Sequence, residues 1–279
     1  MNKKEFNDFF KPYSKNVDNA NKHGFWKLSD ALIKQIIKDN IPLNIKENSV
    51  ILDAGGGTGR WVCDLSKIYK SKFIVYDLSK DMLEEAKKNV KDFCIEDRVM
   101  LVEGDLKNMK KIKSGSVDYI ISIYSPISFI YKKDKAFNEM FRVLKKGGKI
   151  IIMGHGFYNA MYSKINNYCA GAKELEFLDK ERMVKWGDYV PPLNVFSREI
   201  VKNDLKQAGF SLKKTYGVPV FAQPGPEDFD PKNIKKSRIS IALNNEDFFN
   251  KVFELEMKYN SKPTVANRGM NIFAVAWKR

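Results

Sequence analysis

Twelve residues, VILDAGGGTGRW from Val50 to Trp61, constrain this chain more than any other stretch. A short apolar run ends at Asp53, and Gly55, Gly56, Gly57 and Gly59 crowd the turn that follows. An apolar run, a glycine-rich turn and an amphipathic helix make the first strand–turn–helix unit of a nucleotide-binding α/β sheet. Glycine is needed there because the turn visits positive φ and the backbone must approach a ligand without Cβ atoms in the way.

Spacing narrows the ligand. A dinucleotide site wants G-x-G-x-x-G/A, with a small third residue so that the helix packs on the strand beside a pyrophosphate. Counted from Gly55, that slot holds Arg60, which is neither small nor neutral. The pattern present is D-x-G-x-G-x-G, made by Asp53, Gly55, Gly57 and Gly59. It resembles the first motif of the class I S-adenosylmethionine-dependent methyltransferases, in their small-molecule form.

Later segments are similar to that family in the same order. A second strand is read at residues 72–78 and ends at Asp77, 18 residues after Gly59. Sheets of this kind present a carboxylate there to ribose hydroxyls. Ser79 is better suited than Asp77 to cap the next helix, which packs through Met82, Leu83, Ala86 and Val90. A third strand closes on Gly104, Asp105 and Leu106. The resemblance implies that the acid there receives the adenine amine and its neighbour touches the ring. A fourth strand, 118–125, carries Ser122 and Tyr124 into Pro126. A helix is expected over 135–146, stopped by Gly147 and Gly148, and then a fifth strand delivers His155 at its carboxyl end.

The resemblance covers residues 46–156, 196–220 and 270–279. It implies an α/β fold with a Rossmann-like, doubly wound, mostly parallel seven-stranded sheet and a terminal antiparallel strand. It also implies S-adenosylmethionine as cofactor. The residues expected to bind it are Asp53, Ala54, Gly55, Gly57, Gly59, Asp77, Leu78, Met82, Gly104, Asp105, Leu106 and Ser122.

The remaining segments are read as parts of one domain spanning 1–279. Residues 1–45 form an N-terminal helical segment, with a helix over 29–40 and with Tyr13, Phe25 and Trp26 as candidate lid aromatics. Insertions at 157–195 and 222–268 leave the carboxyl edge of the sheet, where open α/β folds bind ligands. The first carries Phe157, Tyr158, Tyr162, Tyr168, Trp186 and Tyr189; the second carries a helix capped near Asn245. Both are expected to be helical caps over a methyl acceptor; that their aromatics, like Tyr13, Phe25 and Trp26, only pack against the core is the competing reading.

The implied reaction moves a methyl group from a sulfonium to an N, O or C atom. A base is required only where the nucleophile is protonated at neutral pH. The chain has two histidines. His155 is the better placed, and His155 with Tyr124 are the catalytic candidates; a histidine merely hydrogen-bonded in a turn is the competing reading. No carboxylate set has metal-ligand spacing, so no metal is expected.

The net charge is +15, but it comes from 41 Lys and 8 Arg spread along the chain. That is a solvated surface more than the clustered, arginine-rich footprint of nucleic-acid binders. A small organic acceptor is therefore favoured, with RNA or protein methylation on the same core as the alternative. No run approaches the ~18 apolar residues of a membrane span, and the N-terminus lacks an apolar signal core. A cytoplasmic protein is expected. Cys63, Cys94 and Cys169 are scattered and each reads as a small buried hydrophobe.

Overall fold

The computed structural model describes residues 8–12, 18, 22–187, 190–230 and 232–279. Tyr13 and Tyr189 lie outside the described residues. Among the described residues nine strands form one sheet: β1 Val50–Ala54, β2 Lys72–Asp77, β3 Val99–Glu103, β4 Val117–Ser122, β5 Leu144–Gly156, β6 Met183–Val184, β7 Leu193–Phe196, β8 Ser211–Val218 and β9 Asn271–Trp277. Strands β3, β2, β1, β4 and β5 lie side by side and run parallel. Strand β9 pairs antiparallel with β5, and β8 antiparallel with β9. These are the seven strands and the antiparallel terminal strand that the sequence leads one to expect. The sheet gains two more from the first insertion, because β7 pairs parallel with the last residues of β5 and β6 pairs with β7.

A parallel sheet covered on both faces needs strands that are apolar throughout. In β1, Ile51 enters the core on one face, while Leu52 and Ala54 enter the core on the other. In β5, Ile151 and Met153 alternate with Ile150 and Ile152 in the same way. The first face is covered by α1 (Gly24–Asn40), α2 (Arg60–Ser66) and α3 (Lys80–Asp92), and the second by α4 (Lys133–Val143) and α7 (Arg198–Gln207).

Several expectations need correction. Helix α1 begins at Gly24, five residues before the expected start, because Phe25 and Leu28 extend its buried face. Phe25 is thus a core residue and no lid aromatic. Its backbone N–H donates to Ser240 Oγ at 3.1 Å, which satisfies the helix start. Helix α4 stops at Val143, since Leu144 pairs with Val117; Gly147 and Gly148 fall inside β5, where Gly147 turns at φ 77°. Of the cysteines, Cys63 is buried, but Cys94 and Cys169 are exposed. Both exposed cysteines sit in left-handed turns that hold them away from the core.

The first insertion folds into α5 (Phe157–Asn166) and α6 (Ala172–Glu181) around a small core of Phe157, Ala160, Leu178, Val184, Leu193 and Val195. The second folds into α8 (Arg238–Ala242), α9 (Glu246–Tyr259) and α10 (Pro263–Ala266). Asn245 caps α9 by accepting from the Phe248 amide at 2.9 Å. Glu256 of α9 is fully buried and accepts the amides of Val220, Phe221 and Ala222, each at 2.8 Å. This carboxylate ties the insertion to the chain leaving β8.

Removing Glu256 would strand two buried donors and one part-buried donor. Glu256→Ala is expected to lower the free energy of unfolding by about 2–4 kcal/mol, a discounted sum for unsatisfied buried groups. Urea unfolding followed by far-UV circular dichroism measures it, and a loss below ~0.5 kcal/mol would show that the clamp is incidental.

Candidate functional site

The strand order turns back between β1 and β4: β2 and β3 extend the sheet to one side of β1, and β5 extends it from β4 to the other. Crossover helices leave on opposite faces there, opening a crevice at the carboxyl ends of the strands. The glycine-rich turn lies at that crevice. Gly55, Gly57 and Gly59 all have positive φ, 78°, 53° and 70°. Their surroundings differ. A Cβ on Gly55 would lie 2.4 Å from Pro126, and one on Gly59 would press on Ala86 at 3.3 Å. Among the described residues, a Cβ on Gly57 would meet only Met82 Sδ, at 3.9 Å. Of these glycines Gly57 is therefore the one the described residues crowd least, and Met82 faces it.

Asp77 ends β2 beneath this turn and is buried. Its Oδ2 accepts the Gly57 amide at 2.9 Å and its Oδ1 the Ser79 amide at 2.8 Å. Burial pushes its pKa up, while the amides of Ser79, Gly57 and Leu78 oppose that shift. Ser79 itself caps α3 by accepting from the Met82 amide at 3.3 Å. A carboxylate offers about four acceptor sites, so capacity remains for a hydroxyl donor.

Asp53 is almost wholly buried and its Oδ2 has no hydrogen-bond partner among the described residues. Burial pushes its pKa up to about 7, and the nearby Asp77 charge adds to that. Ala54 is buried in the second core, and its carbonyl accepts from the Ser122 hydroxyl at 2.8 Å. Ser122 is fully buried, so its hydroxyl ties β4 to β1 inside the sheet.

At the end of β3, Gly104 is required because a Cβ would strike the Tyr76 hydroxyl at 2.0 Å. Its amide donates to the Asp77 carbonyl at 2.8 Å. Asp105 accepts from the Lys107 amide at 2.9 Å, and Leu106 is buried against the second core. The residues after β1, β2 and β3 thus line one continuous edge.

On the β4 side, Tyr124 and Ser125 both take left-handed backbone, φ 60° and 65°, which non-glycine residues hold only when their surroundings fix them. The Ser125 hydroxyl donates to Asn271 Oδ1 at 3.1 Å. The Tyr124 hydroxyl donates to Asp30 Oδ1 in a short hydrogen bond. Burial and the Asp30 charge hold the tyrosine proton on, well above the usual phenol range. Asp30 also receives Arg60, at 2.6 and 3.3 Å. Arg60 Nε lies 3.4 Å from Asp18, which accepts from the Thr58 hydroxyl at 2.9 Å. The guanidinium sits 5.0 Å from the Trp61 ring and 5.3 Å from the Tyr124 ring. Asp18 and Asp30 belong to no motif in the sequence, and Arg60 stands out there only as an obstacle to a dinucleotide.

His155 sits at the end of β5, opposite Val195 of β7 and Asn271 of β9. Its amide donates to Ser128 Oγ at 3.1 Å. Burial lowers the imidazole pKa to about 4, so at neutral pH the ring is uncharged.

Aromatic side chains cluster around Tyr124, packed on the first core. Trp26 lies 6.0 Å from Tyr124 and 5.6 Å from Phe229, and its indole N–H donates to the Asp228 carbonyl at 2.9 Å. Asn159 of α5 bonds Gln223 at 2.5 Å, joining the two insertions. Of the expected cap aromatics, Tyr158, Tyr162 and Tyr168 are exposed and Phe157 is buried. Trp186 lies against Tyr168, ring centroids 5.7 Å apart and tilted by 50°.

Comparisons agree with this geometry. Residues 51–148 match a family model described as a methyltransferase domain. A demethylmenaquinone methyltransferase of Staphylococcus saprophyticus is 29% identical over 159 residues, 54% of this chain; the match spans 62% of that enzyme. A carboxy-S-adenosyl-L-methionine synthase of Desulfotalea psychrophila is 25% identical across 66% of this chain and 78% of its own length. Among solved structures, a candidate S-adenosyl-L-methionine-dependent methyltransferase of Methanococcus maripaludis superposes with a TM-score of 0.51 and 26% identity, covering 74% of this chain and 88% of its own.

Two pH effects are expected. The raised Asp53 pKa means the folded state favours the neutral acid relative to an unfolded value near ~3.9. That contribution is complete below pH ~4 and is lost as pH rises through about 7. Asp53→Asn stays neutral throughout. Its stability advantage over the ligand-free wild type should grow from near zero at pH ~4 to about 2–4 kcal/mol by pH ~8 in urea unfolding; a gap independent of pH would contradict the assignment. In NMR titrations, the resonance lost in His155→Gln should titrate near pH 4. A midpoint near 6.5 would mean the ring is solvated.

Proposed function

From the premise that this chain belongs to the class I S-adenosylmethionine-dependent methyltransferase family, we propose that it transfers the methyl group of S-adenosylmethionine to an N, O or C atom of a small, largely apolar organic acceptor. The observation that carries this is the turn at Gly57, which the described residues leave uncrowded and whose amide donates to the buried Asp77 carboxylate. In this reading Asp77 accepts the ribose diol, Leu78 and Met82 flank the ribose, and Gly104, Asp105 and Leu106 hold the adenine. Gly55, Gly57 and Gly59 keep the backbone close to the methionine part, with Asp53 and Ala54 beneath. The orphaned Oδ2 of Asp53 and the uncrowded side of Gly57 both fit such a ligand.

The bound donor supplies a methyl group already activated by its sulfonium. The protein has then to align the acceptor and exclude water, and alignment alone can supply ~7–11 kcal/mol of the barrier. Trp26, Tyr124 and Phe229 provide an apolar wall for the acceptor, and residues 157–195 and 222–268 act as its cap. The apolar character of the wall and the quinone named for the Staphylococcus saprophyticus relative support an aromatic or isoprenoid-bearing acceptor. His155 orients that acceptor as a neutral group. An isothermal titration in which the donor is consumed without a methylated product would favour chemistry on the donor itself, as the name of the Desulfotalea psychrophila relative describes.

Calorimetry should find binding of S-adenosylhomocysteine and none of NADH. Asp77→Ala should weaken S-adenosylhomocysteine by about 1.5–3 kcal/mol, the range for hydrogen bonds to a charged group. Tighter binding of NADH would reject the reading, and an unchanged dissociation constant would remove Asp77 from the site.

A further inference from the structure

Asp30 and Arg60 make a buried ion pair that neither the fold nor the ribose and adenine contacts require. Asp30 comes from α1 and Arg60 opens α2 immediately after the glycine turn. Their side chains are only 12% and 18% exposed. A charged pair withdrawn from water costs desolvation free energy, and hydrophobic replacements often serve stability as well. Its position suggests a use. With adenine at β3 and ribose at β2, the rest of the donor runs along the edge toward β1 and β4. The sulfur is one atom beyond the ribose C5′, so it falls about one to two strand spacings (~5–10 Å) from Asp77. At this β1/β4 end Tyr124, two residues past β4, and Arg60, next after the glycine turn, both meet Asp30.

The donor and its product differ there in one respect that electrostatics can read. The sulfonium carries a positive charge, and the thioether left after transfer carries none. We propose that Asp30 and Arg60 set the charge felt by this sulfur, and so decide how strongly the site prefers the cationic methyl donor to its neutral product. The proposal rests on the methyl-transfer reading above. The local group holds two carboxylates, Asp18 and Asp30, against one guanidinium, Arg60. The excess of negative charge favours the sulfonium. Arg60 limits that excess, which matters because a site that binds the ground-state cation too well deepens the well from which the methyl must leave. Tyr124 fixes one Asp30 oxygen and adds no charge of its own, since its proton stays on.

Three single variants separate this role from that of a structural pillar. Binding of S-adenosylmethionine and of S-adenosylhomocysteine is measured for each by calorimetry, so no acceptor is needed. Asp30→Asn removes a negative charge, and the affinity ratio of donor to product should fall by about 5- to 20-fold, as for a unit charge within ~10 Å in a partly buried site. Arg60→Gln removes the positive charge, and the ratio should rise by a similar factor. Tyr124→Phe deletes the hydrogen bond without changing charge and should move both ligands together. A pillar would weaken both ligands in every variant and leave the ratio within about twofold of wild type; that result overturns the proposal. If Asp30→Asn fails to fold, Arg60→Gln decides alone: a raised ratio supports the proposal, and an unchanged or lowered ratio rejects it. A wild-type protein that binds neither compound would instead reject the methyl-transfer reading itself.

Discussion

The carboxylate of Asp77 is the contact on which the site depends. One oxygen holds the amide of Gly57 in the turn after β1, and the other holds the amide of Ser79 at the start of α3. A single buried group thus joins the start of α3 to a turn 20 residues before it in the chain, counted from Asp77. Hydrogen bonds to a charged acceptor contribute about 1.5–3 kcal/mol each, enough to offset much of the desolvation that raises the group's pKa. Without them, a left-handed glycine turn has many conformations available. The same bonds explain why Asp77 cannot cap α3 with its side chain as well as Ser79 does: its two oxygens are engaged with backbone on either side of the crevice.

Buried acids also fasten the segments that surround the crevice. Asp228 accepts the Ser240 hydroxyl at 2.6 Å and the Gly225 amide at 3.0 Å, and Ser240 in turn accepts the Phe25 amide in the first turn of α1. Glu256 does the same for the residues after β8. In the first insertion, the buried Lys164 is paired with Glu174 and lies between the rings of Tyr168 and Trp186. Each insertion is small, so its own apolar core is modest. Directional polar contacts fix its orientation where area alone would not, at the cost that losing one partner strands the other.

The sheet was legible in the chain because its signals are local. Apolar runs, the glycine turn and the acids after β1, β2 and β3 all fall within a few residues of one another along each unit. Helix ends were less legible: Leu144 belongs by propensity to α4, yet pairing with Val117 draws it into β5. The Asp30, Arg60 and Tyr124 cluster was not legible at all. Its bonds connect positions 30 and 94 residues apart, and no spacing rule links a helix before the first strand to a tyrosine after the fourth. Arg60 carried the one available hint. A large cation in a slot that must be small for one ligand has a reason to be there for another. Tyr162 and Tyr168 failed differently, since an aromatic stripe at helical spacing looks the same whether it faces a pocket or solvent.

The protonation states around the acceptor restrict which nucleophiles the proposed reaction can use. Tyr124 keeps its proton and donates it in a hydrogen bond to Asp30. His155 is neutral, but a conjugate acid with a pKa of about 4 is a poor store for a proton. Taking a proton from a group of pKa ~9 would be uphill by about five units, or roughly 7 kcal/mol. That would cancel most of what alignment of donor and acceptor contributes. An acceptor that already presents a free lone pair, a thiolate, or a carbon made electron-rich by an ionised ring hydroxyl avoids this cost. The aromatic wall of Trp26, Tyr124 and Phe229 suits the last of these, because a flat ring can lie against it while its nucleophilic carbon faces the sulfonium. On such an acceptor the proton is lost after the methyl has moved, from a carbon that has become acidic, and a neutral histidine then needs only to hold the ring in place.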